Sequence, residues 1–91
     1  MKFTDAVIKS KTLSVKPNDE TLLKLYGLYK QATLGDCNIS SPWPWDVVGC
    51  AKWNAWSARK GKSKEDAGKL YIKLVEVLLK EDVARLLKQM N

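Results

Sequence analysis

The segment LYGLYKQAT, residues 25–33, places Tyr26, Tyr29 and Lys30 at positions i, i+3 and i+4. On a helix that spacing puts two phenols and one ammonium on a shared face. Phenol rings support a planar ligand ring, phenol hydroxyls donate to phosphate oxygens, and an ammonium offsets phosphate charge. The same spacing also suits two core tyrosines with wet hydroxyl tips and a lysine snorkelling past them, since aromatic stripes usually face a core. A second cluster, AKWNAW at residues 51–56, sets Lys52 and Trp56 at i and i+4 with Trp53 one step round. A buried indole needs an acceptor for its N–H, so two tryptophans this close suggest a partly open face. They could equally fill space between the small residues Ala51, Ala55 and Ala58. The basic run Arg59–Lys64 reads best as a solvated connection that places cations near a helix C-terminus.

Catalysis has little support. The sequence holds no histidine, which removes the commonest general base and metal ligand. Its two cysteines, Cys37 and Cys50, show no CxxC or other metal spacing and have no imidazole to activate a thiol. No carboxylates pair at a spacing suited to acid/base work, and Asp19, Glu20, Asp46 and Asp66 are accounted for as caps and dipole partners. No cofactor, no metal and no enzymatic activity are expected. So few cysteines in a chain without a signal-peptide-like start fit a reducing, cytoplasmic setting.

The elements that must position these residues follow from periodicity. Ninety-one residues with 45% hydrophobic and 29% charged composition suit one globular domain, residues 1–91, with one modest core. Thr4 is expected to cap a first helix with Phe3, Ala6, Val7 and Leu13 near one face, and Pro17 to stop it. Asn18 caps a second helix on which Leu22, Leu25, Tyr26, Tyr29 and Ala32 recur at three- and four-residue spacing, with Gly35 as its stop. Residues 36–45, DCNISSPWPW, read as a loop. Asp46 caps a third helix carrying Val47, Val48, Ala51, Ala55 and Ala58. Ser63 and Asp66 resemble a capping box for a fourth. Its expected stripe is Ala67, Leu70, Tyr71, Leu74, Val77 and Leu78, with the pattern reaching Leu86 and Leu87. The product is an all-α chain, a small four-helix bundle.

The net charge of +6 is uneven: +3 over residues 1–16, −2 over 17–46, +5 over 47–64 and zero over 65–91. Such a surplus points to anionic partners: nucleic acid, acidic lipid headgroups or phosphorylated small molecules. Lysines number 14 and arginines two, which speaks against nucleic acid, where arginine is the usual bidentate reader. A basic helical nucleic-acid-binding module and a peripheral membrane-binding module with Trp43 and Trp45 at the interface stay open as alternatives.

Read together, YGLYKQATLGDCN (26–38), AKWNAW (51–56) and KGKSKEDAGKLYIKLVE (60–76) resemble the acyl-CoA-binding protein family, with Phe3, Leu13, Lys16 and Pro17 at matching spacing upstream. The resemblance covers roughly residues 3–80. It implies a four-helix bundle of the acyl-CoA-binding protein type, an intracellular carrier and pool former for medium- and long-chain fatty acyl-CoA esters. Tyr26, Tyr29 and Lys30 match the positions that hold the adenine and 3′-phosphate of CoA, and Lys52 a lysine that meets phosphate. Tyr71 matches a tyrosine at the nucleotide end, Lys11 a first-helix ligand contact, and Trp53 a tryptophan near the acyl region. The implied partners are the acyl-CoA ligand and acyl-CoA-using enzymes, with transient membrane contact, no nucleic acid, and a monomeric state. One departure stands out: Val48 occupies a position where the family usually carries lysine. Trp43 and Trp45 are expected to line the acyl groove. The basic, ring-lined pocket is expected where helices two, three and four converge.

Overall fold

Residues 1–90 are described by a computed structural model of the chain. Four helices follow in order: α1 (Phe3–Ser10), α2 (Asp19–Leu34), α3 (Val47–Ser57) and α4 (Lys64–Gln89). The three caps expected for α2, α3 and α4 form. The Asn18 side chain accepts from the Thr21 N–H at 2.9 Å, Asp46 from Gly49 at 2.9 Å, and Ser63 from Asp66 at 3.0 Å. Each satisfies one of the N–H groups that a helix start leaves without an internal partner. Gly35 ends α2 at φ 84°, a left-handed angle that glycine adopts without the penalty a Cβ brings.

The first helix departs from expectation at both ends. It begins at Phe3 with Lys2 as N-cap, so Thr4 lies inside the first turn rather than capping it. The Phe3 ring stacks against Tyr29 at 6.0 Å and packs on Tyr71 at 5.1 Å, so tertiary contact draws that residue into the helix. At the other end α1 closes at Ser10, well ahead of Pro17. The Ser10 hydroxyl donates to the Val7 carbonyl and that of Thr12 to the Lys9 carbonyl, both at 2.7 Å. Hydroxyl side chains that bond nearby carbonyls compete with helix continuation. Leu13 therefore lies beyond the helix. The connection back to α2 is tied to α4 by Asp82, which accepts from the backbone N–H of Ser14 at 3.2 Å, from its hydroxyl, and from Arg85 at 2.9 Å.

Helix α2 is central. It packs on α4 along one side and on α3 along the other, while α1 lies mainly on α4 and reaches α2 through the Phe3 and Tyr29 rings; among the described residues α3 packs against α2. Ala6, Leu25, Leu28, Ala67, Tyr71 and Val75 form the buried core, with Phe3, Val7, Leu74 and Leu78 packed around it. Two expected faces are shifted. On α4 the buried line runs Ala67–Tyr71–Val75, one residue every four, leaving Leu70 and Val77 exposed. On α3, Val47 and Val48 are exposed and Trp56 is the buried residue, because a helix with a single partner buries only a narrow strip. The C-terminal turns of α4 carry Leu86 and Leu87 as helix, both exposed. The molecule is a flattened body of 50 × 31 × 16 Å, too thin to enclose a long ligand. No helix among the described residues is long and apolar enough to cross a membrane.

The α2–α3 crossing depends on Gly27. A Cβ there would sit 2.3 Å from the Ala55 carbonyl oxygen, a backbone atom that cannot swing aside. Exchanging glycine for alanine inside a helix ordinarily stabilises by about 1 kcal/mol. Here the sign reverses. Gly27→Ala is expected to cost about 1–3 kcal/mol by forcing the two backbones apart, measured by urea unfolding. A second prediction concerns acid. The Ser14 hydroxyl and backbone N–H, with the Arg85 guanidinium, hold the Asp82 carboxyl below its ordinary value of 3.8. A carboxylate with a depressed folded pKa contributes stability above its unfolded pKa and loses it as pH falls through the folded one. Between neutral pH and pH values below the ordinary carboxylate range, wild type should therefore lose more stability than Asp82→Asn, read from thermal midpoints across that range.

Candidate functional site

The residues singled out by the sequence gather around one face of α2. An open cavity of about 400 Å³ lies between α1, α2 and α4. Tyr26, Tyr29, Tyr71 and Lys11 line its polar side, and Val7, Leu22 and Leu25 supply apolar wall. Tyr71 belongs to both core and site. Its ring is buried against Phe3 and Tyr29, and its hydroxyl donates to Ser10 Oγ at 3.3 Å. The α1 helix thus takes the place expected for α3 in forming the cavity. The third helix contributes from the side.

That side contribution is electrostatic. Lys52 Nζ on α3 stands 5.5 Å from the centroid of the Tyr26 ring, and Lys30 Nζ on α2 stands 5.9 Å from the same centroid. Two ammonium groups therefore flank one phenol. Lys30 also lies 5.2 Å from the Trp56 ring. Aromatic faces attract cations through their quadrupole, which holds the ammonium groups near the ring without neutralising them. Every ion pair among the described residues is elsewhere: Lys24 with Glu20, Lys69 with Glu65, and Arg85 with Asp82. Lys11, Lys30 and Lys52 have no carboxylate partner among the described residues. Like charges left unopposed beside an open, ring-lined hollow have the chemistry to receive a multiply charged anion that also carries an aromatic ring.

Trp53 is not part of this gathering. It is half-buried, and its indole N–H donates to the Ile39 carbonyl at 2.9 Å, fastening the α2–α3 loop to α3. Trp56 has more bearing on the site than the sequence reading assigned. Its N–H donates to the Gly35 carbonyl at 2.8 Å while its ring takes Lys30, so it joins the end of α2 to a site cation. The four-residue offset of Trp56 from Lys52 was the available signal, but only the α2–α3 crossing shows that Lys30 meets it. Asp36 also escaped notice. One of its oxygens accepts from the backbone N–H of Gly61 and from the Gln31 side chain, both at 2.9 Å, and these bonds lower its pKa below the ordinary value. Gln31, which is buried, also donates to the Lys62 carbonyl at 2.7 Å. Together they lock the two inter-helix connections beside the site.

Trp43 and Trp45, expected along the acyl groove, instead stack on each other in an exposed turn and do not line the cavity. A larger hollow of about 500 Å³ lies along the other side of α4 and carries Lys62, Lys69 and Lys73. Asp66 and Glu76 share that hollow and offset its charge. It also lacks any aromatic ring. The smaller cavity combines three tyrosine rings, Lys11 and an apolar wall, and Lys30 and Lys52 stand outside its lining at the Tyr26 ring. That combination of rings and cations is what the larger hollow lacks. No group of three or more histidine, cysteine, aspartate or glutamate side chains suited to a metal ion occurs among the described residues.

Comparison with known proteins agrees with this arrangement. The family model described as acyl CoA binding protein matches residues 1–75. An acyl-CoA-binding protein of Dictyostelium discoideum is 55% identical over 76 residues, covering 84% of this chain and 90% of the relative. Acyl-CoA-binding protein homolog 1 of Caenorhabditis elegans is 47% identical over 79 residues, covering 87% and 92%. Among solved structures, acyl-CoA-binding protein 2 of Oryza sativa superposes with a TM-score of 0.86 at 44% identity, covering 90% of this chain and 91% of that one. The ACBP of Moniliophthora perniciosa gives 0.83 at 39% identity, covering 88% and 79%. With the helix order, the tyrosine-lined cavity and these matches in agreement, the chain belongs to the acyl-CoA-binding protein family.

Proposed function

We propose that this chain, as one domain over residues 1–91, binds medium- and long-chain fatty acyl-CoA esters and serves as an intracellular carrier and pool former for them. The observation that carries the reading is the pair of ammonium groups, Lys30 and Lys52, at 5.9 and 5.5 Å from the Tyr26 ring centroid with no carboxylate partner among the described residues. Coenzyme A presents an adenine and several phosphate charges in one unit. Tyr26 and Tyr29 offer ring surface to the adenine, and Lys30, Lys52 and Lys11 offer charge to the phosphates. Tyr71 closes the nucleotide end beside them. The apolar wall of Val7, Leu22 and Leu25 begins a path for the acyl tail. Burial of the tail contributes roughly 0.8 kcal/mol per methylene.

The work proposed is sequestration without catalysis or cofactor. Holding the thioester on a slab only 16 Å thick keeps the ester accessible for hand-over to enzymes that consume it. A monomer in the cytoplasm suits that role. Val48, exposed where the family usually carries lysine, withholds one phosphate contact, so the remaining lysines carry more of the binding. A nucleic-acid interface is disfavoured by the arginines: Arg85 is held by Asp82, and Arg59 lies beyond the end of α3.

Titration calorimetry with palmitoyl-CoA tests the reading. Lys30→Ala is expected to weaken binding by about 1.5–3 kcal/mol, the range for a charge-assisted bond, or roughly 10- to 100-fold in Kd. Tyr29→Phe should weaken it by a smaller factor, with the circular dichroism of both variants unchanged. Octanoyl-CoA should bind more weakly than palmitoyl-CoA. An unchanged Kd in Lys30→Ala, or duplex DNA binding as tightly at about 150 mM salt, would overturn the assignment.

A further inference from the structure

The α2–α3 loop ends in a turn that displays two tryptophans to solvent. Trp43, Pro44, Trp45 and Asp46 form a β-turn closed by the Asp46 N–H donating to the Trp43 carbonyl at 2.9 Å. Proline fixes its own φ and is favoured at the second position of such a turn. The two indole rings lie parallel, 5.2 Å apart with 3° between their planes, and are 70% and 76% exposed. At the first turn of α3, Val47 and Val48 follow at 74% and 67% exposure. The other two tryptophans of the chain, Trp53 and Trp56, donate their N–H groups inward to backbone carbonyls. Trp43 and Trp45 donate theirs to no group among the described residues. The chain thus keeps two tryptophans for internal structure and holds two outside it on a stiff turn.

We infer that the Trp43–Trp45 turn, with Val47 and Val48, is a docking tip for a membrane surface bearing anionic headgroups. Tryptophan suits the boundary between acyl chains and headgroups because its ring is apolar and its N–H still needs an acceptor. Proline on either side of Trp43 means that little backbone freedom is lost on docking. Charge favours the anionic surface. Residues 37–64 contain Lys52, Arg59, Lys60, Lys62 and Lys64 against one carboxylate, Asp46, and that carboxylate accepts from the Gly49 N–H at 2.9 Å. Lys52, one turn into α3, is the cation nearest the tip. The other four follow the far end of that 11-residue helix, about 16 Å away. There they add a longer-range attraction to anionic lipid that salt screens. Val48 lies one helical turn from Lys52, so docking would bring the proposed acyl-CoA site to within a turn of the lipid surface. The contact itself requires no acyl-CoA.

Cosedimentation with large unilamellar vesicles tests this, using phosphatidylcholine alone and phosphatidylcholine with about 30% phosphatidylserine. Wild type should partition onto the anionic vesicles, less so as salt rises, and its tryptophan emission should be quenched by brominated lipid. Trp43→Ala/Trp45→Ala should lower that partition by roughly tenfold and remove most of the quenching, because Trp56 is buried and Trp53 half-buried away from the tip. Trp45→Ala alone should fall between the two. Both side chains are exposed, so circular dichroism should be unaltered. The palmitoyl-CoA Kd of the double variant, measured in parallel without lipid, should be unchanged, which separates this contact from the ligand assignment. The inference is overturned if wild type fails to bind anionic vesicles or the double variant binds as well. A wild-type dimer that the double variant dissolves, with no vesicle binding by either, would assign the tip to a second copy of the chain and overturn it too.

Discussion

The close approach of α2 and α3 at Gly27 sets the position of everything on α3. Among the described residues α3 packs on no other helix, so its orientation rests on this crossing and on the connections at its two ends. The Ala55 carbonyl enters the space a side chain at position 27 would occupy. That approach brings Lys52 to the Tyr26 ring and buries Trp56 beside Lys30. A crossing only slightly wider would leave two lysines on separate surfaces and no joint charge. Packing on one side of α2 therefore creates the electrostatics on the adjacent face.

The other half of the site is built from the core itself. Phe3, Tyr29 and Tyr71 form a chain of ring contacts running from α1 through α2 to α4, and two of these rings, Tyr29 and Tyr71, line the cavity. Core and cavity thus share residues. The lysines follow another rule. Ion pairs elsewhere satisfy Lys24, Lys69 and Arg85, whereas Lys11, Lys30 and Lys52 are left to rings and solvent. Lys11 lines the cavity and the other two stand by the Tyr26 ring, so their mutual repulsion is small through water, and an anion arriving there relieves it.

Much of this was legible in the sequence because the signals were local. Caps at Asn18, Asp46 and Ser63 are short-range chemistry, and the i, i+3, i+4 spacing of Tyr26, Tyr29 and Lys30 depends only on the helix repeat. The bounds of α1 were not legible. Its start is decided by Phe3 packing on rings 26 and 68 positions further along the chain, and its end by hydroxyl groups competing for carbonyls. On α4 the expected stripe kept Ala67, Tyr71, Leu74 and Leu78 but gained Val75 and lost Leu70 and Val77, because periodicity marks an apolar stripe without saying which partners meet it. Leu70 and Val77 belong to the stripe but face no helix. Gly27 carried no visible signal, since a glycine inside a helix reads as a weakness until its neighbour is known. Lys11, Lys52 and Tyr71 were placed by resemblance, and the fold brings Lys11 and Tyr71 into the cavity and Lys52 to its Tyr26 edge, while Trp53 turns to the loop.

The central claim is that the α2–α3 crossing makes one anion receptor out of Lys30, Tyr26 and Lys52. A crystal structure of the palmitoyl-CoA complex tests it most directly. The account predicts phosphate oxygens within about 2.7–2.9 Å of both ammonium nitrogens, with the adenine against a tyrosine face. Phosphates seated instead among Lys62, Lys69 and Lys73 along α4 would contradict it.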